Sequence, residues 1–445
     1  MKEKISRRKA LKYFTLSPIV ASSFVASKTQ ASDVKANILI VGGGTAGIIA
    51  LSHLFKAIKN PNITIITPNE IQINQSGQVF VAAGVMEETE LFLSNKDYIN
   101  TDKVKWIKDE VLSFEPDANK VKTRAGEEVD YDYLIVATGL QYNYEKIKGL
   151  KKEDIGTHGI SSVYLNDLEK GTARGASDTW KWFNDLKTFA KEKRPKVIFT
   201  HPNTAIKSNT TPQRMLFLSA DYLKKDELSA DFEFISSSNK LSSLPKIEEV
   251  LYKAQDSYDP IKNRFGHHLE SLDVKAKKAV FLHEFEKEGI QKSERLELPY
   301  DFIHIVPPMS PVKALLESSL LSHDAWLDVD KYTLQHKKYK NVFGIGDTCA
   351  TSLQKTASSA QAQGEILAQN ILDAIQAKEL SASFDGYSAS PIETQYEKSI
   401  MLELNFKGLT STLPIHFEKP RWIWWMFNLY IFKSVYKHLI LRGRY

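Results

Sequence analysis

The chain has 445 residues, 42% of them apolar and 25% charged, the composition of an ordinary globular protein too long for one hydrophobic core. Its net charge of +5 is spread among interspersed acids and bases, so no nucleic-acid-binding stripe is present and nucleic acid is excluded as a partner. A single cysteine, Cys349, excludes intramolecular disulfides and cysteine metal clusters, and the eleven histidines, His267 and His268 among them, lack metal-ligand spacing and read as surface residues.

The first element in chain order is an address. Ser6-Arg7-Arg8-Lys9-Ala10-Leu11-Lys12 resembles a twin-arginine export signal with Ala10 in the usual Phe position. An apolar run from Tyr13 to Ala26 follows, short for a membrane span, and Thr29-Gln30-Ala31 offers a cleavage site. Residues 1–31 are therefore expected to direct export to the periplasm.

Next, ANILIV (Ala36–Val41) reads as a buried parallel strand running into Gly42-Gly43-Gly44-Thr45-Ala46-Gly47. Helical periodicity over Ile48–Lys59 and a second strand at Ile63–Ile66 complete a βαβ unit, the context that a GxGxxG turn needs to bind a dinucleotide. Gly42 makes the tight turn, Gly44 admits a pyrophosphate, and Gly47 lets helix and strand pack closely. The unpaired N–H groups and positive dipole end of the helix then hold the phosphates. At the end of the second strand, where a carboxylate would hold the ribose, the chain has Thr67, with Glu70 three residues later.

YLIVATG (Tyr133–Gly139) and VFGIGD (Val342–Asp347) read as further buried strands, the latter followed by a helix from about Lys355. KVIFT (Lys196–Thr200) opens a second dinucleotide-like unit, whose loop His201-Pro202-Asn203-Thr204 has no glycine to admit a pyrophosphate. The expected fold class is α/β with two Rossmann-like domains and a C-terminal helical segment that associates with a membrane. The expected divisions are 32–150 and 301–380 for the discontinuous first domain, 151–300 for the second and 381–445 for the C-terminal segment.

That last segment is apolar and free of acids from Trp422 to Leu441, and it holds three of the seven tryptophans. Built as one helix it places Lys433, Ser434, Lys437 and His438 on one side, within an arc of about 140°. It reads as an interfacial helix with basic residues toward anionic lipid, and Arg421, Arg442 and Arg444 add to that character. The alternative is a helix packed on the core or on a second copy of the chain in a homo-oligomer.

The ordered glycine turn, ATG and GIGD motifs resemble the flavoprotein disulfide-reductase superfamily. VKWIKDEV (Val104–Val111), YNYEKIKGL (Tyr142–Leu150), VPPMSP (Val306–Pro311) and LQHKKYKNVFGIGD (Leu334–Asp347) resemble, within it, the mitochondrial-type sulfide:quinone oxidoreductases, from about Asn37 to the C-terminus. The resemblance implies non-covalent FAD over Gly42, Gly44 and Gly47, bordered by Thr67, Thr138 and Gly139, with the Val111 backbone at the adenine. Asp347 would accept from the ribityl chain, and Lys355 and Thr356 would face the pyrimidine edge of the flavin. It also implies electron transfer from a small sulfur-containing donor to membrane quinone at the periplasmic surface.

The family's two cysteines are altered. Ser161 stands in the place of the first, and after Asp347 come Thr348 and then Cys349. Serine holds no persulfide, so Cys349 is the remaining candidate nucleophile, with Lys355 and a helix N-terminus expected to lower its pKa. The alternatives are a flavoprotein of the flavocytochrome c sulfide dehydrogenase type, a type II NADH dehydrogenase, and a flavin-binding sulfur carrier without turnover. Removal of Trp422–Tyr445 is expected to release the protein from membranes and leave the flavin bound.

Overall fold

A computed structural model describes residues 31–444 other than 288, 352–353 and 413–418. The twin-arginine motif and its apolar run lie outside the described residues.

The apolar run at the start of the fold forms β1 (Asn37–Val41), buried from Ile38 onward. Gly42 follows at φ +115°, a turn that would bring a Cβ within 2.3 Å of the Ala137 carbonyl oxygen. The chain enters α1 (Thr45–Ala57), which buries Ile48, Ile49, Leu51 and Leu54, and returns as β2 (Asn62–Ile66). With β3 (Val104–Ile107), β4 (Tyr133–Val136) and a strand near residue 342 they form a five-stranded parallel sheet. Its apolar side chains fill clusters on both faces, which is why these strands are runs of Ile, Leu and Val rather than alternating patterns.

A second parallel sheet is built from β5 (Ile160–Ser161), β6 (Lys196–His201), β7 (Asp231–Ser236), β8 (Lys262–Arg264) and β9 (Phe302–His304), in the order β5-β9-β6-β7-β8. Helices α2 (Arg174–Ala190) and α3 (Thr211–Lys224) bury apolar faces against it. The chain then returns to the first sheet as β10 (Val342–Gly344), giving the order β10-β4-β1-β2-β3, and continues into α4 (Ala357–Ile375). Two Rossmann-like sheets, the first assembled from separated stretches of chain, are thus observed. The strand order reverses at β1 in the first sheet and at β6 in the second, and the carboxyl side of such a strand is where these sheets bind ligands.

The C-terminal part adds β11 (Ser388–Gln395) and β12 (Lys398–Asn405), paired antiparallel, and then α5 (Trp422–Met426), a π-helical turn at Phe427–Ile431, α6 (Phe432–His438) and a 3-10 turn at Ile440–Arg442. The helix expected over Trp422–Leu441 is present from Trp422 to His438, with a π-helical turn within it, and it ends in a 3-10 turn. Its inner face is packed on the protein, with Trp424, Trp425, Leu429, Tyr436, Ile440 and Leu441 all buried. No helix of the described residues is long and apolar enough to cross a membrane. His267 and His268, expected at the surface, are half-buried, and His267 meets His283 at 3.4 Å between Nδ1 atoms.

Candidate functional site

The carboxyl end of β1 and the later part of the loop between β6 and α3 open onto one cavity of about 1240 Å³. On the first side it is lined by Gly42, Gly43, Gly44, Thr45 and Ala46. Helix α1 begins there with no acidic residue in its first turn and no side chain capping it, so its positive end faces the cavity. A Cβ placed on Gly44 would meet nothing within 4 Å, which leaves the backbone open to a close-lying ligand. Gly47 does not line the cavity. It lets α1 pass against the Gly42 carbonyl, which a Cβ there would approach to 1.9 Å.

Thr67, Val111, Thr138 and Gly139 line the wall as expected, and Trp106 Nε1 donates to the Thr67 carbonyl at 3.0 Å. Glu70 is turned away into surface ion pairs with Lys96 and Lys108, which hold its carboxyl down at about 2. A glycine turn on a helix N-terminus, an opposed small-residue turn at Thr138–Gly139 and a long polar-to-apolar cavity fit an FAD. Gly42, Gly44, Thr67, Val111, Thr138 and Gly139 would hold its adenosine diphosphate half.

At the far end of the first sheet, Asp347, Lys355 and Thr356 also line the cavity. Thr356 caps α4, accepting from Ser359 N at 3.3 Å. Asp347 Oδ2 accepts from Lys207 Nζ at 2.6 Å, an ion pair between the two sheets' loops. The Lys355 ammonium is buried, donates to the carbonyls of Asp347 (2.5 Å) and Cys349 (3.1 Å), and lies 3.4 Å from the centroid of the Trp326 ring. Burial lowers its pKa to about 8, although Asp347 and Cys349 act the other way.

This lysine titrates near 10.5 when unfolded, so between pH 8 and 10.5 the unfolded chain binds more protons at it than the native one. Native stability at this site therefore rises with pH across that window, as the buried charge is relieved. The gap of 10.5 − 8 = 2.5 units sets a ceiling of roughly 3 kcal/mol. Denaturant melts of the wild type and Lys355→Met at pH 7.5 and 10 are expected to show the wild type gaining on the variant. Equal pH dependence of the two would contradict this.

Ser161, in the place of the family's first cysteine, and Cys349, the candidate nucleophile, both stand off the cavity, and the expected lowering of the Cys349 pKa needs correction. Ser161 lies in β5 beside its register partner His304, fully buried, its hydroxyl without a hydrogen-bond partner. His304 is likewise sealed in, stacked on Phe199, and burial pushes its pKa down to about 3. Cys349 is 1% exposed among Leu327, Val329 and Val342, and burial pushes its thiol up to about 12 despite the lysine beside it. Desolvation of a thiolate outweighs one nearby cation, so the expected lowering does not occur.

From the second unit, Ser208 and Thr211 line the cavity, and the sequence reading missed both along with Lys207, Arg214, Tyr142 and Tyr164. Ser208 sits at φ +53° in the loop before α3, and its N–H donates to the Lys355 carbonyl at 3.2 Å. The available signal was Lys207-Ser208 shortly before Pro212, which sits in the first turn of α3. Elsewhere in this loop, Pro202 O accepts from Ser237 Oγ at 2.6 Å and Thr204 Oγ1 from Met309 N at 2.9 Å, so side chains fill the turn where a pyrophosphate loop carries glycine.

Comparison with known relatives decides the family. The pyridine nucleotide-disulphide oxidoreductase family matches residues 36–172. The mitochondrial sulfide:quinone oxidoreductase of Dictyostelium discoideum is 33% identical over 437 residues, 96% of this chain and 91% of the relative. The chain belongs to the sulfide:quinone oxidoreductase family. The Mus musculus mitochondrial sulfide:quinone oxidoreductase agrees, at 32% identity over 91% of this chain and 86% of its own. The solved sulfide:quinone oxidoreductase of Aquifex aeolicus shares the fold at 18% identity, with a TM-score of 0.70 over 92% of each chain. Members of the family are FAD-dependent oxidoreductases, and the glycine turn and cavity of this chain suit that cofactor.

Proposed function

We propose that this protein takes two electrons from a reduced sulfur donor, passes them through FAD and delivers them to a membrane quinone. The observation that carries the reading is one continuous cavity. Its lining includes the glycine turn, the cationic side chains Lys207, Arg214 and Lys355, and an apolar wall of Trp424, Phe427 and Ile431. The Lys355 ammonium, which donates to two backbone carbonyls, favours a small anionic donor such as hydrosulfide, and the apolar wall suits a quinone ring. FAD supplies the two-electron relay when bound, while this chain's residues position and charge-balance it. Gly42 and Gly44 would seat the cofactor with Gly47 holding α1 against their turn, Thr67, Val111, Thr138 and Gly139 would border it, and Asp347, Lys355 and Thr356 would lie at its redox-active half.

The exposed Trp422 (49%) and Tyr430 (48%), on the outer side of the C-terminal helix, support docking to a lipid interface. The relatives are mitochondrial by name, whereas residues 1–31 here read as a twin-arginine leader. The periplasmic membrane surface is the location this reading assigns.

Neither Ser161 nor Thr348 can carry a persulfide, and Cys349 is sealed from the cavity, so donor oxidation proceeds without a protein thiol. Sulfide-dependent reduction of a soluble quinone by the holoenzyme is the test. We expect turnover in Cys349→Ala to stay within about twofold of the wild type, alanine being chosen because it leaves no buried hydroxyl to satisfy. Loss of turnover in a folded, flavin-loaded Cys349→Ala would return the chemistry to the cysteine. No quinone reduction by the wild type would remove the enzyme reading.

A further inference from the structure

The C-terminal segment lies along α1, the helix that carries the glycine turn. At the start of α1, Tyr436 OH is 2.6 Å from Thr45 Oγ1. Farther along, Gly443 sits at φ +58° with its Cβ direction 3.0 Å from Ser52 Oγ and 3.2 Å from the His53 ring. The segment thus follows α1 from its first turn into its second half. Tyr436 is 1% exposed and lines the cavity together with Phe432, Val435, Leu439 and Ile440, opposite Gly44, Thr45 and Ala46.

The remaining fastenings lie outside the cavity. Tyr98 OH donates to the Lys437 carbonyl at 3.3 Å, the Arg442 guanidinium stands 5.2 Å from the Tyr98 ring centroid, and Lys433 pairs with Glu90 at 2.9 Å. These contacts are surface-exposed or partly so and are individually weak. The Tyr436–Thr45 hydrogen bond is the one polar contact among them that is made at the cavity wall.

We propose that residues 432–444 are a strap closing the dinucleotide end of the cavity, latched by Tyr436 on Thr45, so that FAD leaves only when the strap lifts. The proposal rests on the FAD reading. Three observations carry it. The strap lies against the helix whose N-terminus receives the phosphates. Its inner residues share the cavity wall with the glycine turn. Its polar fastening to that helix sits one residue past Gly44. Deleting Trp422–Tyr445 is therefore expected to cost the flavin as well as membrane contact, the opposite of what the sequence alone leads one to expect.

The experiment dilutes the full-length holoenzyme and follows the rise of free-FAD fluorescence. Tyr436→Phe keeps the ring and removes the hydroxyl. It is expected to release FAD roughly tenfold faster than the wild type, with an unchanged far-UV circular dichroism spectrum. Thr45→Val is expected to do the same, and the double variant to be no faster than either single, because both remove one bond. Tyr98→Phe, which loosens the strap away from the cavity, is expected to speed release by a smaller factor, about twofold. Wild-type release rates in both Tyr436→Phe and Thr45→Val, or additive effects in the double variant, would overturn the strap. Should Tyr436→Phe fail to fold, Thr45→Val against Tyr98→Phe decides by the same ordering. A wild type purified without FAD and unable to take it up would defeat the cofactor reading instead, a result separate from any difference in release rate.

Discussion

Gly47→Ala is expected to yield a protein that does not retain FAD. The added Cβ would stand 1.9 Å from the Gly42 carbonyl oxygen and 2.9 Å from its carbon, both backbone atoms with no rotamer to yield. Helix α1 would have to move off β1, taking the N–H groups of Thr45 and Ala46 out of register with the cofactor's phosphates. Gly44→Ala is the informative contrast. Its Cβ meets no protein atom within 4 Å, so the apoprotein should fold normally while the methyl intrudes on bound FAD. Flavin absorbance per chain after gel filtration, read beside the thermal melt of each apoprotein, separates the two. Full flavin content in Gly47→Ala would contradict the packing described for this turn.

The second large effect is on stability. Arg214 in α3 and Glu393 in β11 form an ion pair whose side chains are 4% and 0% exposed, joining the second sheet's helix to the C-terminal strands. Glu393→Ala would leave the guanidinium buried without its counter-charge, which costs about 3–5 kcal/mol. Removing both charges, as in Arg214→Met with Glu393→Ala, should recover much of that loss, since a buried pair and an apolar replacement of similar volume are close in energy. Because Arg214 also lines the cavity, the readout for the double variant is the denaturation midpoint and not turnover. A Glu393→Ala midpoint equal to that of the wild type would mean that the charge is not buried as described.

The legible parts of this molecule are those governed by neighbours in sequence. The glycine turn could be read because strand, turn and helix each leave a local signature, and the requirement for glycine comes from a close approach five residues apart. Thr67 and Val111, at a strand end and a strand start, fell on the cavity wall for the same reason. What escaped depends on pairing between distant segments. Ser161 and Ser208 are both serines in the second unit, but parallel pairing of Ser161 with His304 turns its hydroxyl into the core, whereas Ser208 sits at the reversal point after β6. The local sign that separates them is Pro212 in the first turn of α3, four residues after Ser208. Lys207 meets Asp347 across 140 residues, and Tyr436 meets Thr45 across 391. The thiol of Cys349 was misjudged for a related reason. The adjacent lysine is visible in the sequence, but the shell of Leu327, Val329 and Val342 that desolvates the thiol is assembled only by the fold.

The most direct measurement of the central claim mixes the oxidised holoenzyme anaerobically with sulfide, and separately with NADH, while the flavin absorbance is followed. Sulfide is expected to bleach the flavin, with NADH leaving it oxidised because the loop after β6 offers no glycine turn to a second pyrophosphate, and a soluble quinone is expected to restore the colour. A flavin bleached by NADH and untouched by sulfide would contradict the account.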